Sequence, residues 1–363
     1  MTDNSRNEHE GVPSYFYLLD FSRFLAAFAV VLWHYQHFFF PMDNNQAPLQ
    51  NVFKLFYSRG FLAVDMFWVL SGFVISMNYF EKKSNKRSFW INRVARLYPL
   101  HLLTLLIVAS LQAISMHTLG KWQIYQNNDL TQFFLHLIFV PGFQNPLVYS
   151  FNAPIWSVSL ELACYALFSL ALISMRKKNV EIALLVLTIS IGLYMFGPNL
   201  LLFKTFTYFF AGVCIYFVLI KTTRNFALLF SSFLFILTFA IWLFCDVSPI
   251  DTYKLENIKY LSLFSGLVLN LALFECRFNF NHNSRNIFKK SGDITYAMYL
   301  THIPIQIAIL ITIDHFNFNR IYPDEASFLL IYLICVLLTS IVSFIFFENP
   351  LRKVIRRSLV SHI

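Results

Sequence analysis

Charged residues are scarce in this sequence, and that scarcity excludes an ordinary soluble domain. Only 13% of the 363 residues are charged and 57% are hydrophobic, whereas a soluble domain has roughly 25% charged and about 45–50% apolar residues. Mean hydropathy is +0.58, and Phe alone fills 43 positions. Apolar side chains all around a helix are favourable only in apolar surroundings, so a lipid bilayer is the expected solvent for most of the chain.

Cysteine is also sparse, and its placement argues against a disulfide framework or a zinc site. None of the five cysteines forms a CxxC pair, and all lie in or beside apolar stretches, at Cys164, Cys214, Cys245, Cys276 and Cys335. They are expected to be small buried apolar side chains. Neither a metal site nor a bound cofactor is expected.

Signals for processing or for several domains are missing as well. The first fourteen residues are polar and of mixed charge, and the first apolar stretch contains Asp20 and Arg23, which argues against a cleavable signal peptide. No internal repeat and no low-complexity linker interrupts the chain. Residues 1–363 are therefore predicted to form a single membrane domain.

Long apolar stretches dominate what the sequence does contain. A membrane-spanning helix needs about 20 mostly apolar residues. The sequence predicts an all-α polytopic membrane protein with ten spans, at 16–39, 59–80, 98–117, 154–175, 180–197, 200–220, 226–245, 258–275, 293–314 and 327–347. The apolar segment 130–142 is too short to span and is predicted to be interfacial or re-entrant.

The basic residues are distributed unevenly between the two sides of these predicted spans. Residues 81–97 contain six Lys or Arg, whereas 118–153 on the opposite side contains Lys121 alone. Basic loops stay on the cytoplasmic side, so the short N-terminus 1–14 and the basic tail 348–363 are both predicted to be cytoplasmic. This distribution explains the net charge of +9 better than nucleic-acid binding does.

Four ionisable side chains are predicted to lie at similar depth, from the middle to the outer half of the membrane. They are His34, Asp65, Glu161 and His302, one on each of four predicted spans. Ionisable groups inside lipid are costly and therefore point to function. Two imidazoles and two carboxylates suit acid–base catalysis, and they equally suit a proton relay in a transporter. Taken singly, each histidine could also be an ordinary buried one.

Arginines are predicted to form a second group near the cytoplasmic surface. Arg93 and Arg96 are three residues apart, and paired guanidinium groups match phosphate geometry. Arg23 lies eleven residues, or about three helical turns, before His34, on the same predicted face. The alternatives are that Arg93 and Arg96 only set topology and that an Asp20–Arg23 pair only fixes a helix end.

Six sequence blocks, in order, resemble the acyltransferase-3 family. Arg23 and His34 lie in LLDFSRFLAAFAVVLWH, and Asp65 in GFLAVDMFWVLSGFVIS. Arg93 and Arg96 lie in FWINRVARLYPLH. The remaining blocks are PIWSVSLE, which ends at Glu161, then GDITYAMYLTHIP with Tyr296, Tyr299 and His302, and finally FFENPLRK. Together the blocks extend from residue 18 to residue 353.

This resemblance implies transfer of an acyl group, usually acetyl from acetyl-CoA, to a hydroxyl of a cell-surface glycan such as lipopolysaccharide O-antigen or exopolysaccharide. Some relatives carry an additional SGNH hydrolase-like domain, which is not expected here. The implied location is the bacterial inner membrane. The expected partners are acyl-CoA, a glycan or lipid-linked sugar acceptor and membrane lipid, without nucleic acid.

The expected mechanism assigns a role to each group of residues. Arg23, Arg93 and Arg96 bind the phosphates of CoA. His34 acts as general base on the acceptor hydroxyl or as a transient acyl carrier, and Asp65 or Glu161 orients its ring. His302 is the second candidate imidazole. Trp156, Tyr296 and Tyr299 shape the pocket, or simply pack.

The predicted sidedness can be tested with single cysteines placed at Asn85 and Asn127 in a background that lacks the five native cysteines. The loop 81–97, which contains Asn85, is predicted to be cytoplasmic, and the loop 118–153, which contains Asn127, is predicted to be extracytoplasmic. A membrane-impermeant thiol reagent applied to intact cells should therefore label the cysteine at 127 and spare that at 85. The reverse pattern would overturn the orientation.

Overall fold

The computed structural model describes residues 12–39, 42–80, 86–171, 179–198, 201–221, parts of 232–240, 252–316, 318 and 322–360. Within these ranges the regular structure is entirely helical. The α-helices are α1 Tyr17–Trp33, α2 Gln50–Arg59, α3 Ala63–Tyr79, α4 Lys86–Leu119, α5 Leu130–Leu137, α6 Ile155–Ala171, α7 Asn179–Phe196, α8 Leu201–Lys221, α9 Thr252–Arg277, α10 His282–Asp293, α11 Thr295–His315, α12 Ala326–Ser343 and α13 Asn349–Val360.

Seven helical stretches are long and apolar enough to cross a membrane. They are Tyr17–Phe38, Gln50–Tyr79, Lys86–Leu119, Leu201–Lys221, Asn257–Arg277, Thr295–His315 and Ala326–Leu359. Two further predicted spans, 154–175 and 180–197, correspond to the shorter apolar helices Ile155–Ala171 and Val180–Phe196. Most of the remaining one, 226–245, lies outside the described residues. The count of ten and the side on which the termini lie therefore stay predictions.

Helix α4 is much longer than the span predicted at 98–117. Its 34 residues extend about 51 Å at 1.5 Å per residue, against roughly 30 Å for the hydrocarbon core of a bilayer. Arg93 and Arg96 lie on this continuous helix, before Pro99. The short helix α5 at Leu130–Leu137 has only eight residues, too few to span, as the sequence predicted.

The chain divides into two compact units, each assembled from three separate stretches. The first unit comprises Met1–Phe24, Val64–Ser84 and Ala163–Gly292, and the second comprises Leu25–Ala63, Asn85–Leu162 and Asp293–Ile363.

In the first unit, helices α3 and α8 run parallel and touch through two glycines. A methyl group on Gly72 would overlap the carbonyl oxygen of Phe209, and one on Gly212 would overlap the carbonyl oxygen of Val69. Small residues allow membrane helices to bring their backbones together. On either side of this contact, rings of the two helices meet edge to face, in the pairs Trp68–Tyr208, Phe73–Tyr216 and Phe80–Phe217.

A carboxylate caps the start of α1 in the same unit. Glu275 on α9 accepts hydrogen bonds from the backbone N–H groups of Tyr17 and Leu18, at 2.7 and 2.9 Å. The first N–H groups of a helix have no partner inside it, and negative charge is favourable there. Glu275 therefore fastens α1 to α9.

In the second unit, helix α11 packs against α4 and α12, and α13 packs against α4. Polar contacts join these helices inside the apolar interior. The Tyr296 hydroxyl donates to the Leu97 carbonyl oxygen at 2.7 Å, and the hydroxyls of Thr301 and Ser340 lie 3.3 Å apart. These contacts hold α11 between its neighbours, so that residues facing inward from α11 are enclosed.

The glycine contact predicts a sharp difference between two alanine substitutions. Gly72→Ala should destabilise the protein by about 1–3 kcal/mol, the usual cost of overpacking, because the new methyl group meets backbone. A Cβ at Gly192 meets nothing within 4 Å, so Gly192→Ala in α7 should be neutral or stabilising, since alanine favours helix. Thermal unfolding of the two purified variants in detergent measures the difference. Equal melting temperatures would contradict the close contact.

Candidate functional site

The candidate site begins where helix α1 changes its winding. After Trp33 the chain continues as a 3-10 helix from His34 to Phe38. A 3-10 helix has three residues per turn, so residues i and i+3 lie above one another. His34 and His37 are therefore on the same side of this turn, and each is 8% exposed.

Three imidazoles come together in the second unit, and we call His34, His37 and His302 the histidine cluster. The ring centroid of His34 lies 4.9 Å from that of His302 and 5.1 Å from that of His37. His302 belongs to α11 and is completely buried. The sequence predicted His34 and His302 as site residues, and the structure brings them together.

Hydrogen bonds to backbone carbonyl groups fix how two of these rings are protonated when neutral. His34 Nδ1 lies 2.9 Å from the Val30 carbonyl oxygen, and His302 Nδ1 lies 3.3 Å from that of Met298. A carbonyl oxygen only accepts, so in each ring Nδ1 holds the proton and Nε2 keeps the lone pair. The Nε2 atom of His302 is buried and has no hydrogen-bond partner among the described residues. Both rings thus offer a basic nitrogen.

Gln306 ties the cluster together. Its Oε1 atom lies 3.0 Å from His37 Nδ1, and its Nε2 group donates to the His34 carbonyl oxygen at 2.9 Å. Gln306 is four residues after His302 on α11 and is fully buried. One amide therefore attaches both histidines of the 3-10 turn to the helix that holds the third.

A hydroxyl pair lies beside the cluster. The Tyr299 ring centroid is 6.2 Å from that of His302. The hydroxyls of Tyr299 and Ser157 are 2.8 Å apart and hydrogen-bonded to each other, and both oxygens lie 3.0 Å from the Pro154 carbonyl oxygen. Glu161, one turn after Ser157 on α6, acts electrostatically on Tyr299. Of the predicted residues, Tyr299 thus lies beside the histidine cluster, and Glu161 lies one helical turn from the partner of Tyr299.

The other predicted aromatic residues are also in the second unit. Trp156 is partly buried on α6, next to Ser157. The hydroxyl of Tyr296 is occupied by the hydrogen bond that joins α11 to α4. Tyr296 therefore has a packing role, and its predicted role in the pocket stays a prediction.

Asp65 belongs to the first unit, where it has a partner of opposite charge. Its carboxylate lies 2.9 Å from the Lys204 ammonium group, and both side chains are nearly buried. The Lys204 Nζ atom also lies 5.5 Å from the centroid of the Tyr208 ring. The sequence placed Asp65 at the same depth as His34 but did not foresee its pairing with Lys204.

The predicted arginines fall in different units. In the first unit, Arg23 lies 3.5 Å from Asp20, which also accepts a hydrogen bond from the Tyr15 hydroxyl. Asp20 and Arg23 therefore form the local pair that the sequence suggested.

In the second unit, Arg93 and Arg96 are partly buried on α4. Arg96 and Arg352 both act electrostatically on Glu348, which is 3% exposed at the end of a π-helical turn, Phe344–Glu348. Glu348 lies in the block FFENPLRK but was not among the predicted site residues.

His37 and Gln306 were also missed. Their spacing was the available signal, since His37 follows His34 by three residues and Gln306 follows His302 by four. Among the described residues, no group of three or more His, Cys, Asp or Glu side chains is placed to hold a metal ion.

Comparisons with known proteins identify a family and two relatives. The sequence model of the acyltransferase-3 family, described as an acyltransferase domain, matches residues 16–348. The chain is 33% identical over 150 residues to "Acyltransferase MdmB" of Streptomyces mycarofaciens, an alignment that covers 41% of this chain and 37% of the relative. It is 35% identical over 112 residues to "Protein 2 in picA locus" of Rhizobium radiobacter, covering 30% of this chain and 51% of the relative.

The chain thus spans about half or less of the length of each of these relatives. No solved structure matches it. The family match, however, covers most of the chain, and the apolar helices are those of an integral membrane protein. The chain belongs to the acyltransferase-3 family.

Proposed function

We propose that this protein transfers an acyl group, acetyl in the simplest case, from acyl-CoA to a hydroxyl of a cell-surface glycan at the bacterial inner membrane. The observation that carries the proposal is the buried pair of His34 and His302, with centroids 4.9 Å apart and both Nδ1 atoms facing carbonyl oxygens. An imidazole whose Nε2 holds a lone pair is the usual general base for a hydroxyl.

The reaction follows from that basic nitrogen. His34 Nε2 takes the proton of the acceptor hydroxyl while the hydroxyl oxygen attacks the thioester carbonyl carbon. The carbon–sulfur bond then breaks, and the CoA thiolate leaves and takes the proton from the imidazolium. During the step, the Nε2 atom of His302 can share the proton held by His34. The products are the acylated acceptor and CoA with a free thiol, and no reactant besides acyl-CoA and the acceptor is needed.

The neighbouring groups would serve this step by holding the rings and the substrate. The carbonyl oxygen of Val30 keeps the His34 ring in one orientation. The ring therefore does not have to rotate before its Nε2 atom can accept the proton. The Ser157–Tyr299 hydroxyl pair and Glu161 would face the acceptor. Asp65, with its charge balanced by Lys204, would hold α3 and α8 together in the first unit.

The donor would be held by arginine. CoA carries several phosphate oxygens, and guanidinium groups bind these with paired hydrogen bonds. Arg93 and Arg96 are on the long helix α4 in the unit that contains the histidine cluster. The thioester would reach His34 from the cytoplasmic side.

A transporter that uses the same histidines as a proton relay is the alternative from another functional class. A transporter does not consume acyl-CoA. Purified protein incubated with acetyl-CoA and a glycan acceptor should release free CoA in proportion to acylated product. Proton-coupled uptake without CoA release would support the transporter instead.

Loss of the base should abolish acyl transfer while the protein still inserts and folds. We expect His34→Ala to lower the rate of CoA release by about 10²–10⁴-fold. His117→Ala is the matched control, because His117 is an exposed histidine near the end of α4, and it should leave the rate unchanged. Near wild-type activity in well-folded His34→Ala would sink the mechanism. If the protein becomes acyl-labelled when acetyl-CoA is added without acceptor, and His34→Ala does not, His34 is the acyl carrier.

Loss of either α4 arginine should weaken the use of acyl-CoA. Arg93→Ala and Arg96→Ala should each raise the Michaelis constant for acyl-CoA by roughly one to two orders of magnitude, since a charge-assisted contact contributes about 1.5–3 kcal/mol. The constant for the acceptor should change little. Arg87→Ala removes an exposed arginine of the same helix and serves as control. If all three variants bind acyl-CoA like wild type, these arginines determine topology alone.

A further inference from the structure

The histidine cluster continues into a series of tyrosine rings that leads to the surface of the second unit. The His37 ring meets Tyr125 edge to face, with centroids 5.5 Å apart, and Tyr125 is stacked on Tyr149 at 6.1 Å. Exposure rises along the series, from His302 at 0% to Tyr149 at 48%. A ligand seated on the Tyr149 ring is thus connected to the buried imidazoles by rings in direct contact.

The two tyrosines belong to the segment between α4 and α6, residues 120–154, which we call the α4–α6 segment. Two of its residues next to the tyrosines have unusual backbone conformations. Ile124 precedes Tyr125 and has a φ of 62°, and Phe151, two residues after Tyr149, has a φ of 40°. A β-branched residue in this left-handed region is strained, and such strain is concentrated at binding and catalytic sites.

One buried amide holds these two strained stretches together. The Asn128 Nδ2 group donates to the Tyr125 carbonyl oxygen, and the Asn128 Oδ1 atom accepts from the Phe151 backbone N–H, both at 2.6 Å. Gln112 on α4 forms a similar double bridge to the backbone of Gln123, at 2.9 and 3.0 Å. The tyrosine pair is therefore fixed in place before any ligand arrives.

Amide side chains supply many of the polar groups of the α4–α6 segment, alongside the ion pair that Lys121 forms with Asp314. Gln132 and Gln144 bond reciprocally at 3.0 Å, and Asn152 donates to the Leu300 carbonyl oxygen. Burial, with His101 nearby, lowers the pKa of His136 to about 3, so this histidine is uncharged at neutral pH. An uncharged ligand with many hydroxyls suits such amide-rich surroundings better than an anion does.

We infer that Tyr125 and Tyr149 form a stacking platform for a sugar ring of the acceptor. The apolar face of a pyranose lies on the Tyr149 ring, and a hydroxyl of the same sugar is presented to the histidine cluster past His37. This inference rests on the proposed function and names its acceptor subsite. Tyr149 then determines acceptor affinity, while His34 performs the chemistry.

The test compares three variants in the CoA-release assay with acetyl-CoA and four methyl pyranosides, those of glucose, galactose, mannose and rhamnose. Tyr149→Ala should raise the Michaelis constant for an accepted pyranoside roughly three- to tenfold, the size expected for one lost stacking contact. The Michaelis constant for acetyl-CoA should not change. Tyr149→Phe keeps the ring and should behave like wild type.

Phe143→Ala is the matched control, because Phe143 is a similarly exposed ring, 46% against 48%, in the same α4–α6 segment. It should not affect the pyranoside constant. Sorbitol, a linear polyol without a ring face, should be a poor acceptor for every variant. If wild type and Tyr149→Ala have equal Michaelis constants for the pyranoside, Tyr149 is not a stacking platform.

The outcomes also separate this inference from the function on which it rests. If wild type releases CoA in a His34-dependent reaction but acylates no pyranoside, or prefers a long-chain alcohol, the platform is wrong and acyl transfer stands. If wild type releases no CoA under any condition, the proposed function fails and the platform falls with it.

Discussion

The amide of Gln306 is the interaction on which the candidate site depends. In apolar surroundings a buried polar group without a partner is costly, and this one side chain satisfies both the His37 ring and the His34 carbonyl group. It also comes from the helix that supplies His302, so the two halves of the site are joined by hydrogen bonds rather than by apolar packing alone. The distance between the His34 and His302 rings is a consequence of that connection.

Much of the fold could be predicted from the sequence, because a long apolar stretch in a bilayer has to be a helix. The helical class and the family followed from apolar length and motif order, and predicted depth selected His34 and His302, with Asp65 and Glu161, as candidate site residues. Depth alone, however, does not reveal partners. Asp65 was placed correctly on its helix, yet its ion pair with Lys204 depends on how α3 and α8 pack, and the two residues are far apart in the chain. Gln306 escaped notice for a simpler reason, since an uncharged amide does not stand out in an apolar span.

The α4–α6 segment illustrates a different limit. It was recognised as too short to span, and helix α5 agrees with that, but its contribution to a site could not be foreseen. Ring series and bridges such as that of Asn128 arise from residues whose spacing follows no helical period. A segment held by buried amides on both sides can present aromatic rings to a ligand without the entropic cost of ordering a loop, which is how a connection between helices becomes part of a binding site.

The contact between α3 and α8 has a consequence for how this part of the chain can change over time. Each glycine faces a carbonyl oxygen of the opposite helix and not a side chain, so a larger residue at either position cannot be accommodated by a smaller one across from it. Second-site suppressors, in the genetic sense, would have to move a whole helix. The same helix contact therefore restricts both Gly72 and Gly212 to glycine, although neither residue has a functional group.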